Sequence, residues 1–377
     1  MHVLLICPQY PNKITPGYGS YVQEQFLALK DNLKDCKFGL LGINIISVKM
    51  LKNISFNNLM PEKDDEKMEY VFKFIGLPFF KRLNYFIRLL IFKAAFKKYI
   101  ALHGKPDLIH LHIFEVGELA LWLKKTYNIP YVVTEHSSGF INNTFKAWQL
   151  DLAKRVFINS SNNIAVSNEF KVLLEKMFEC DFTCIPNLIK TNYYKPSLNS
   201  NKITTFCNIA YLNSNKNHKN LILAFTEVFK GKNYLLKIGG NGHEYNTLKK
   251  LINSLGMSSQ IHLLGMLNKE EVLSVLQSSD YFVLSSKVET FGIVLIEAMS
   301  CGIPVISTKS GGPESIITDK KLGLLCENNY EGLVNGFKEI IKQEFDSYSI
   351  RDYVVNNYSE FEVVKRIDVI YREVLNM

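Results

Sequence analysis

Two carboxylates, Glu289 and Glu297, stand eight residues apart in "ETFGIVLIEAMSCGIPVI", a largely apolar stretch. Glu297 lies between Ile296 and Ala298, where a core helix calls for an apolar side chain and a buried unpaired charge is costly. Two acids kept in such a place point to a ligand. Gly302 and Pro304 should end a helix that runs from about Thr290 or Phe291 to Cys301. At the helical rise, eight residues span ~12 Å with a net rotation of about 80°. The two carboxylates can then serve the two ends of one elongated, hydroxyl-bearing ligand. The backbone N–H groups of Phe291, Gly292 and Ile293, at the mouth of that helix, suit a diphosphate between them.

Other residues of chemical interest follow strand-like runs. "TPGYGSYVQEQ" places Gly17 and Gly19 after a first strand and before a helix, where backbone can approach a phosphate or sugar closely. "KIGGNGHEY" sets Gly239 and Gly240 after another strand, and "LLGM" does the same for Gly265 and Met266, as clamps for a base or ribose. His136 follows "PYVVTE" at the carboxyl end of a strand, the end at which open α/β sheets bind ligands. His110 and His112 alternate along one strand with no third ligand nearby, which favours scaffold histidines over a metal pair. In "NSNKNHKN", Lys216 precedes a helix with His218 and Lys219 beside it, and a lysine there can counter a diphosphate.

The elements that must position these groups alternate in type along nearly the whole chain. "HVLLIC", "DLIHLHI", "PYVVTEHS", "NNIAVS" and "FTCIPN" form a first strand series, with helices near Tyr21 to Leu29 and Val116 to Lys125. "ITTFCNIAYL", "YLLKIGG", "QIHLLGM", "YFVLSS" and "PVIST" form a second, and the segment from Glu360 onward reads as a last helix. Alternation of this kind builds parallel sheets with crossover helices. A chain of 377 residues suits two such domains. We place an N-terminal acceptor-binding domain at 1–187, a polar linker at 188–202 and a C-terminal donor-binding domain at 203–358. A C-terminal helix at 359–377 should pack back toward the first domain.

Seven irregularly spaced cysteines with no Cys-x-x-Cys fit a reduced, cytoplasmic setting better than a disulfide framework. "MHVLLICPQYP" reads as a strand and not a leader, and no uncharged apolar run is long enough to span a bilayer. The net charge of +8 is uneven, with no acidic residue from Val71 to Pro106. That span interleaves lysine and arginine with phenylalanine, so segment 73–105 fits contact with an anionic membrane surface, on the inner face of the cytoplasmic membrane. Nucleic acid binding would need a denser basic surface. A dehydrogenase would need Gly-x-Gly-x-x-Gly with a downstream acid, which is absent.

Taken together, "SSKVETFGIVLIEAMSCGIPVISTKSGGPESI", the N-terminal glycine loop, "PDLIHLH", "VVTEH", "IPN", Lys216, "IGGNG" and "LLGM" resemble the retaining glycosyltransferases of family 4. The resemblance implies the GT-B fold, an α/β architecture of two Rossmann-like doubly wound domains facing a central cleft. It implies transfer of a sugar from a nucleotide-diphosphate sugar, UDP-sugar favoured, to a glycan or lipid-linked acceptor in polysaccharide or lipopolysaccharide assembly. On the same basis Glu297 would hold the ribose and Glu289 the sugar hydroxyls, with Phe291, Gly292 and Ile293 on phosphate and sugar. Lys216 would neutralise the diphosphate, Gly17 and Gly19 would approach it, and His136 would face the sugar or acceptor. Two positions depart from the family pattern. The usual arginine of "GRL" is Tyr211 in Ala210-Tyr211-Leu212, and Lys190 replaces the aspartate after "IPN". No Asp-x-Asp occurs, so neither a bridging metal nor another cofactor is expected. The alternatives are an epimerase of the same fold and an inactive nucleotide-sugar-binding scaffold, and Glu297→Gln separates enzyme from scaffold.

Overall fold

A computed structural model describes residues 1–15, 17–48, 56–197 and 203–377; the last part of the expected linker, 198–202, lies outside the described residues. The chain forms two compact units. One comprises Met1–Val166, Lys171–Leu188 and Val363–Met377, the other Ser167–Phe170 and Ile189–Glu362. Residues 189–197, within the expected linker, therefore group with the second unit, and most of the C-terminal helix groups with the first.

The first unit holds an eight-stranded sheet of β1 (His2–Cys7), β2 (Lys37–Ser47), β3 (Glu62–Asp64), β4 (Glu69–Gly76), β5 (Leu108–His112), β6 (Tyr131–Glu135), β7 (Asn162–Ala165) and β8 (Thr183–Cys184). Its order is β3-β4-β2-β1-β5-β6-β7-β8, parallel except for the β3–β4 pair. β1, β5 and β6 are buried along their whole length, as parallel strands covered on both faces must be. The sequence reading named neither β2 nor β4, which extend the sheet beyond β1.

Helix Glu360–Leu375 closes one face of this sheet. Val363, Val364, Ile367, Ile370 and Tyr371 recur at helical spacing and join a core cluster with Val3 and Leu5 of β1 and Phe26 and Leu29 of helix Ser20–Asn32. Tyr371 also shares a 2.5 Å hydrogen bond with His110 Nδ1, while His110 Nε2 meets Thr134 Oγ1 at 2.7 Å. Both nitrogens of this fully buried ring are thereby satisfied, as a buried polar group requires.

The second unit holds β9 (Thr204–Ile209), β10 (Tyr234–Gly239), β11 (Ile261–Gly265), β12 (Tyr281–Leu284), β13 (Val305–Thr308) and β14 (Gly323–Cys326). Their order is β11-β10-β9-β12-β13-β14, all parallel. This doubly wound order reverses between β9 and β12, and open α/β sheets take ligands at such a switch point, beyond the strands' carboxyl ends. Phe206, Phe225, Phe229 and Phe337 pack edge to face or tilted between the sheet and its helices. All seven cysteines are free thiols.

Candidate functional site

The loops that leave β9 and β12 form the site. After β9, Asn213 Oδ1 accepts the N–H groups of Asn215 (3.0 Å) and Lys216 (3.1 Å), a local turn of the kind asparagine favours. After β12, Ser285 Oγ donates to Lys216 O at 2.7 Å, and Lys287 N to Asn215 O at 2.7 Å. Asn215 Nδ2 returns a bond to Val288 O at 3.0 Å. So laced, the loops bring the Lys216 ammonium onto the Glu289 carboxylate in a direct hydrogen-bonded ion pair. The side chains are 23% and 14% exposed, so water still screens them, and such a pair contributes on the order of 1 kcal/mol. A diphosphate, whose charge-assisted hydrogen bonds are individually stronger, can compete for that lysine.

Glu289 lies ahead of the helix, as expected, but it is held by strand-type pairing. It sits in a parallel bridge with Gly311, with Glu289 N donating to Ser310 O at 2.9 Å and Gly312 N to Glu289 O at 2.8 Å. The helix spans Ile293–Ser300, two or three residues shorter at its start than expected, because Gly292 caps it at φ 105°, outside helical space. Glycine is required again at 312, where a Cβ would lie 2.3 Å from the backbone of Phe291. The ~12 Å helical ruler therefore does not apply between the acids. Gly292, Ile293 and Val294 present the N–H groups that have no intrahelical partner, with no side-chain cap over them. Phe291, expected among them, lies before the cap, and its side chain is buried.

Glu297 occupies the second turn of this helix and accepts a 2.9 Å bond from Tyr194 OH. The tyrosine is itself pinned. Ser300 Oγ donates to its carbonyl at 2.6 Å, and Arg351 bonds Tyr194 O (2.7 Å), Ser300 O (2.6 Å) and Thr191 O (2.9 Å). Sequence reasoning missed Tyr194 and Arg351, which lie on either side of the helix in the chain and carry no motif.

The loops after β10 and β11 join the same end of the sheet. Ala210 N donates to Gly239 O, Leu212 N to Asn241 O and Gly240 N to Gly265 O, at 3.0, 3.0 and 2.7 Å. Tyr211 and Met266 are exposed beside them. His218 leaves the expected basic cluster. It is fully buried, 2.9 Å from Asn208 Oδ1, and burial, aided by Lys216, pushes its pKa down to about 4. A cavity of ≈ 360 Å³ opens at the other end of the sheet, lined by Asp280, Cys301, Pro304 and Tyr348 among others, and holds none of these residues.

In the first unit, Gly17, Gly19 and His136 also follow strand carboxyl ends. Gly19 starts helix Ser20–Asn32 at φ 72°, and a Cβ there would lie 2.3 Å from Gln9 O; Gly17 has open space around it. His136 packs on Tyr21 at 4.4 Å and stacks on His112 at 5.5 Å, with its Nε2 3.2 Å from His112 Nδ1. The fully buried Glu135 carboxylate shapes this loop by accepting the N–H groups of Phe114, His136 and Ser137 at 2.8–2.9 Å. Burial lowers the pKa of His112 to about 3 and holds those of His110 and His136 well below the usual imidazole value. His136 is thus a neutral hydrogen-bonding group at pH 7, and His110 and His112 stack as scaffold at 4.5 Å.

With this geometry in hand, the family comparison is decisive. Residues 57–193 match the sequence model of Glycosyltransferase Family 4, and residues 190–358 that of Glycosyl transferases group 1. The chain belongs to glycosyltransferase family 4. It is a transferase with the two-sheet α/β architecture of the GT-B class. An uncharacterised glycosyltransferase of Methanocaldococcus jannaschii is 28% identical over 83% of this chain and 86% of that protein. The alpha-monoglucosyldiacylglycerol synthase of Acholeplasma laidlawii is 27% identical over 60% of this chain, and the match takes in 65% of that protein, just short of two thirds. Among solved structures, sucrose-phosphate synthase from Thermosynechococcus elongatus superposes with TM-score 0.82 at 18% identity, over 100% of this chain and 99% of that one.

The histidines of this glycosyltransferase make its stability pH-dependent. Those at 2, 110, 112, 136 and 218 all have folded pKa values below the ordinary 6.5. Below pH 6.5 the unfolded chain binds protons that the folded chain refuses, so stability falls as pH falls and is flat above. Each such group contributes a slope approaching ~1.4 kcal/mol per pH unit. The urea midpoint should drop between pH 7.5 and 5.5, and His112→Gln should shrink the drop; a midpoint that holds steady contradicts the neutral stack.

Proposed function

We propose that this enzyme transfers a sugar, with retention of anomeric configuration, from a nucleoside-diphosphate sugar to a glycan or lipid-linked acceptor. The observation that carries the reading is the Lys216–Glu289 pair at the β9–β12 switch point, next to the start of a helix whose second turn holds Glu297. Breaking the anomeric bond builds negative charge on the leaving phosphate and positive charge on the sugar. The Lys216 ammonium has three donors, enough to keep Glu289 while binding a phosphate oxygen. The N–H groups at Gly292, Ile293 and Val294 add a fixed positive field at the same helix end. Glu289 then meets sugar hydroxyls, and Glu297, oriented by Tyr194, takes the ribose. Gly239, Gly240 and Met266 would border the base, with a UDP-sugar the favoured donor. In the first unit, neutral His136 would hydrogen-bond the sugar or acceptor, beside the loop of Gly17 and Gly19.

No carboxylate is assigned as a nucleophile. The acceptor hydroxyl attacks C1 on the face the diphosphate leaves, the C1–O bond to phosphate breaks, and the hydroxyl proton passes to the departing phosphate oxygen. The reaction is read as metal-independent, with charge neutralised by Lys216 and the helix start. A relative named for making monoglucosyldiacylglycerol supports a lipid acceptor, and the free thiols fit a reduced, cytoplasmic setting.

A panel of nucleotide sugars tests the reading. The true donor at a hundredfold excess over Kd should stabilise the fold by ~2.7 kcal/mol. Turnover should survive chelator, and the product should keep the donor's anomeric configuration by NMR; inversion, or turnover that returns only with added Mn²⁺ or Mg²⁺, contradicts it. Tyr194→Phe removes the bond that orients Glu297, worth about 1–2 kcal/mol. It should raise the donor KM roughly 5- to 30-fold with kcat little changed. A fall in kcat at constant KM would place Tyr194 in another role.

A further inference from the structure

Helix Lys81–His103 is apolar on two opposite faces. Arg88, Phe92, Ala95, Phe96 and Tyr99 are buried on the inner one, with Arg88 satisfied by Glu115 O at 2.7 Å. At about 100° per residue, Leu83, Phe86, Leu90 and Ala94 fall together on the opposite side, and all four are exposed. A surface helix normally turns polar residues to water along such a stripe. Just before the helix, Phe80 is exposed and Phe79 is 100% exposed. Phe79 is also held at φ 70°, a left-handed conformation that is strained for a bulky residue. Both exposure and strain are costs without a return in the isolated chain, and together they mark a ridge built to be covered.

The charge around the ridge indicates what covers it. Between Val71 and Pro106 there is no acidic residue. Lys97 lies within the stripe, Arg82 and Lys98 flank it, and Lys81 is exposed at the helix start next to Phe80. The cores of protein interfaces are depleted in lysine, whereas aromatic and leucine side chains ringed by basic residues suit the headgroup region of an anionic bilayer, where long basic side chains reach outward. Among the described residues no helix is long and apolar enough to cross a membrane, so the geometry is that of a helix lying on the surface.

We propose that Phe79, Phe80, Leu83, Phe86 and Leu90 form a docking ridge for an anionic lipid bilayer, with the flanking lysines and arginine on its headgroups. The ridge gives the lipid-linked acceptor of the proposed function a place to be met, and in that respect it rests on that reading. Its test does not, because vesicle binding needs no sugar nucleotide.

The full chain is pelleted with phosphatidylcholine vesicles made with and without phosphatidylglycerol. The protein should sediment with the anionic vesicles, less so as salt rises, and stay in solution with the neutral ones. The double variant Phe79→Ser with Phe86→Ser should partition at least about tenfold more weakly while keeping its thermal stabilisation by donor. Lys81→Gln with Arg82→Gln should bind more weakly and with less sensitivity to salt. Equal sedimentation with both vesicle types, or none with either, overturns the proposal. So does a ridge variant that binds like wild type. Self-association of the wild type that the ridge variant abolishes would assign the surface to a second copy and overturn it as well. Loss of donor stabilisation in the wild type would instead count against the sugar-transfer reading and leave vesicle binding to be judged alone.

Discussion

The contact between Lys216 and Glu289 is the constraint on which the chemistry proposed for the second unit depends. It spans the point where strand order reverses, so the two groups reach each other only because the loops after β9 and β12 are laced by Asn213, Asn215, Ser285 and Lys287. Neither loop alone would hold a charged side chain in place. The pair also neutralises itself while no ligand is bound, which keeps a shielded lysine and a shielded carboxylate ready without a large desolvation cost. On the proposed reading, its modest strength is what would let a donor diphosphate share the lysine.

Around that pair the backbone does much of the positioning. The bridge of Glu289 to Gly311 fixes its backbone from the strand side, and the turn at Gly292 starts the helix four residues after Glu289 with no side-chain cap over its first N–H groups. Glu297, one turn in, depends on a tyrosine anchored by Arg351 through three carbonyls. The first unit works differently. Its conspicuous residues are neutral histidines stacked on a buried sheet end, so it offers shape and hydrogen bonds where the second unit offers charge.

The parallel architecture was legible because β1, β5 and β6 and their second-unit counterparts are continuous apolar runs bounded by turn residues. β2 was not, since Gly39 and Gly42 dilute its strand signal. Glu289, Lys216 and His136 drew notice from their places after strands, and Glu297 from its apolar neighbours in a helix. Their mutual geometry was not legible, because a pair 73 residues apart in the chain leaves no periodic trace. The helix start was misplaced because glycine at 292 is compatible with either a first turn or a cap until its φ is known. Tyr194 and Arg351 act through backbone carbonyls and one hydroxyl, contacts that no residue pattern encodes. The outward ridge of helix Lys81–His103 was visible only as a mixed basic and aromatic composition until the fold showed which side was already covered.

The central claim is that Lys216 balances Glu289 and the donor diphosphate at once. The direct measurement is calorimetric donor affinity for wild type, Lys216→Met, Glu289→Gln and the double variant. Removing the lysine alone leaves Glu289 as an uncompensated negative charge beside the phosphates. The account therefore predicts that the double variant binds donor more tightly than Lys216→Met, with a coupling of about 1 kcal/mol or more. Single effects that add to within ~0.5 kcal/mol, with the double variant the weakest binder of the four, would contradict it.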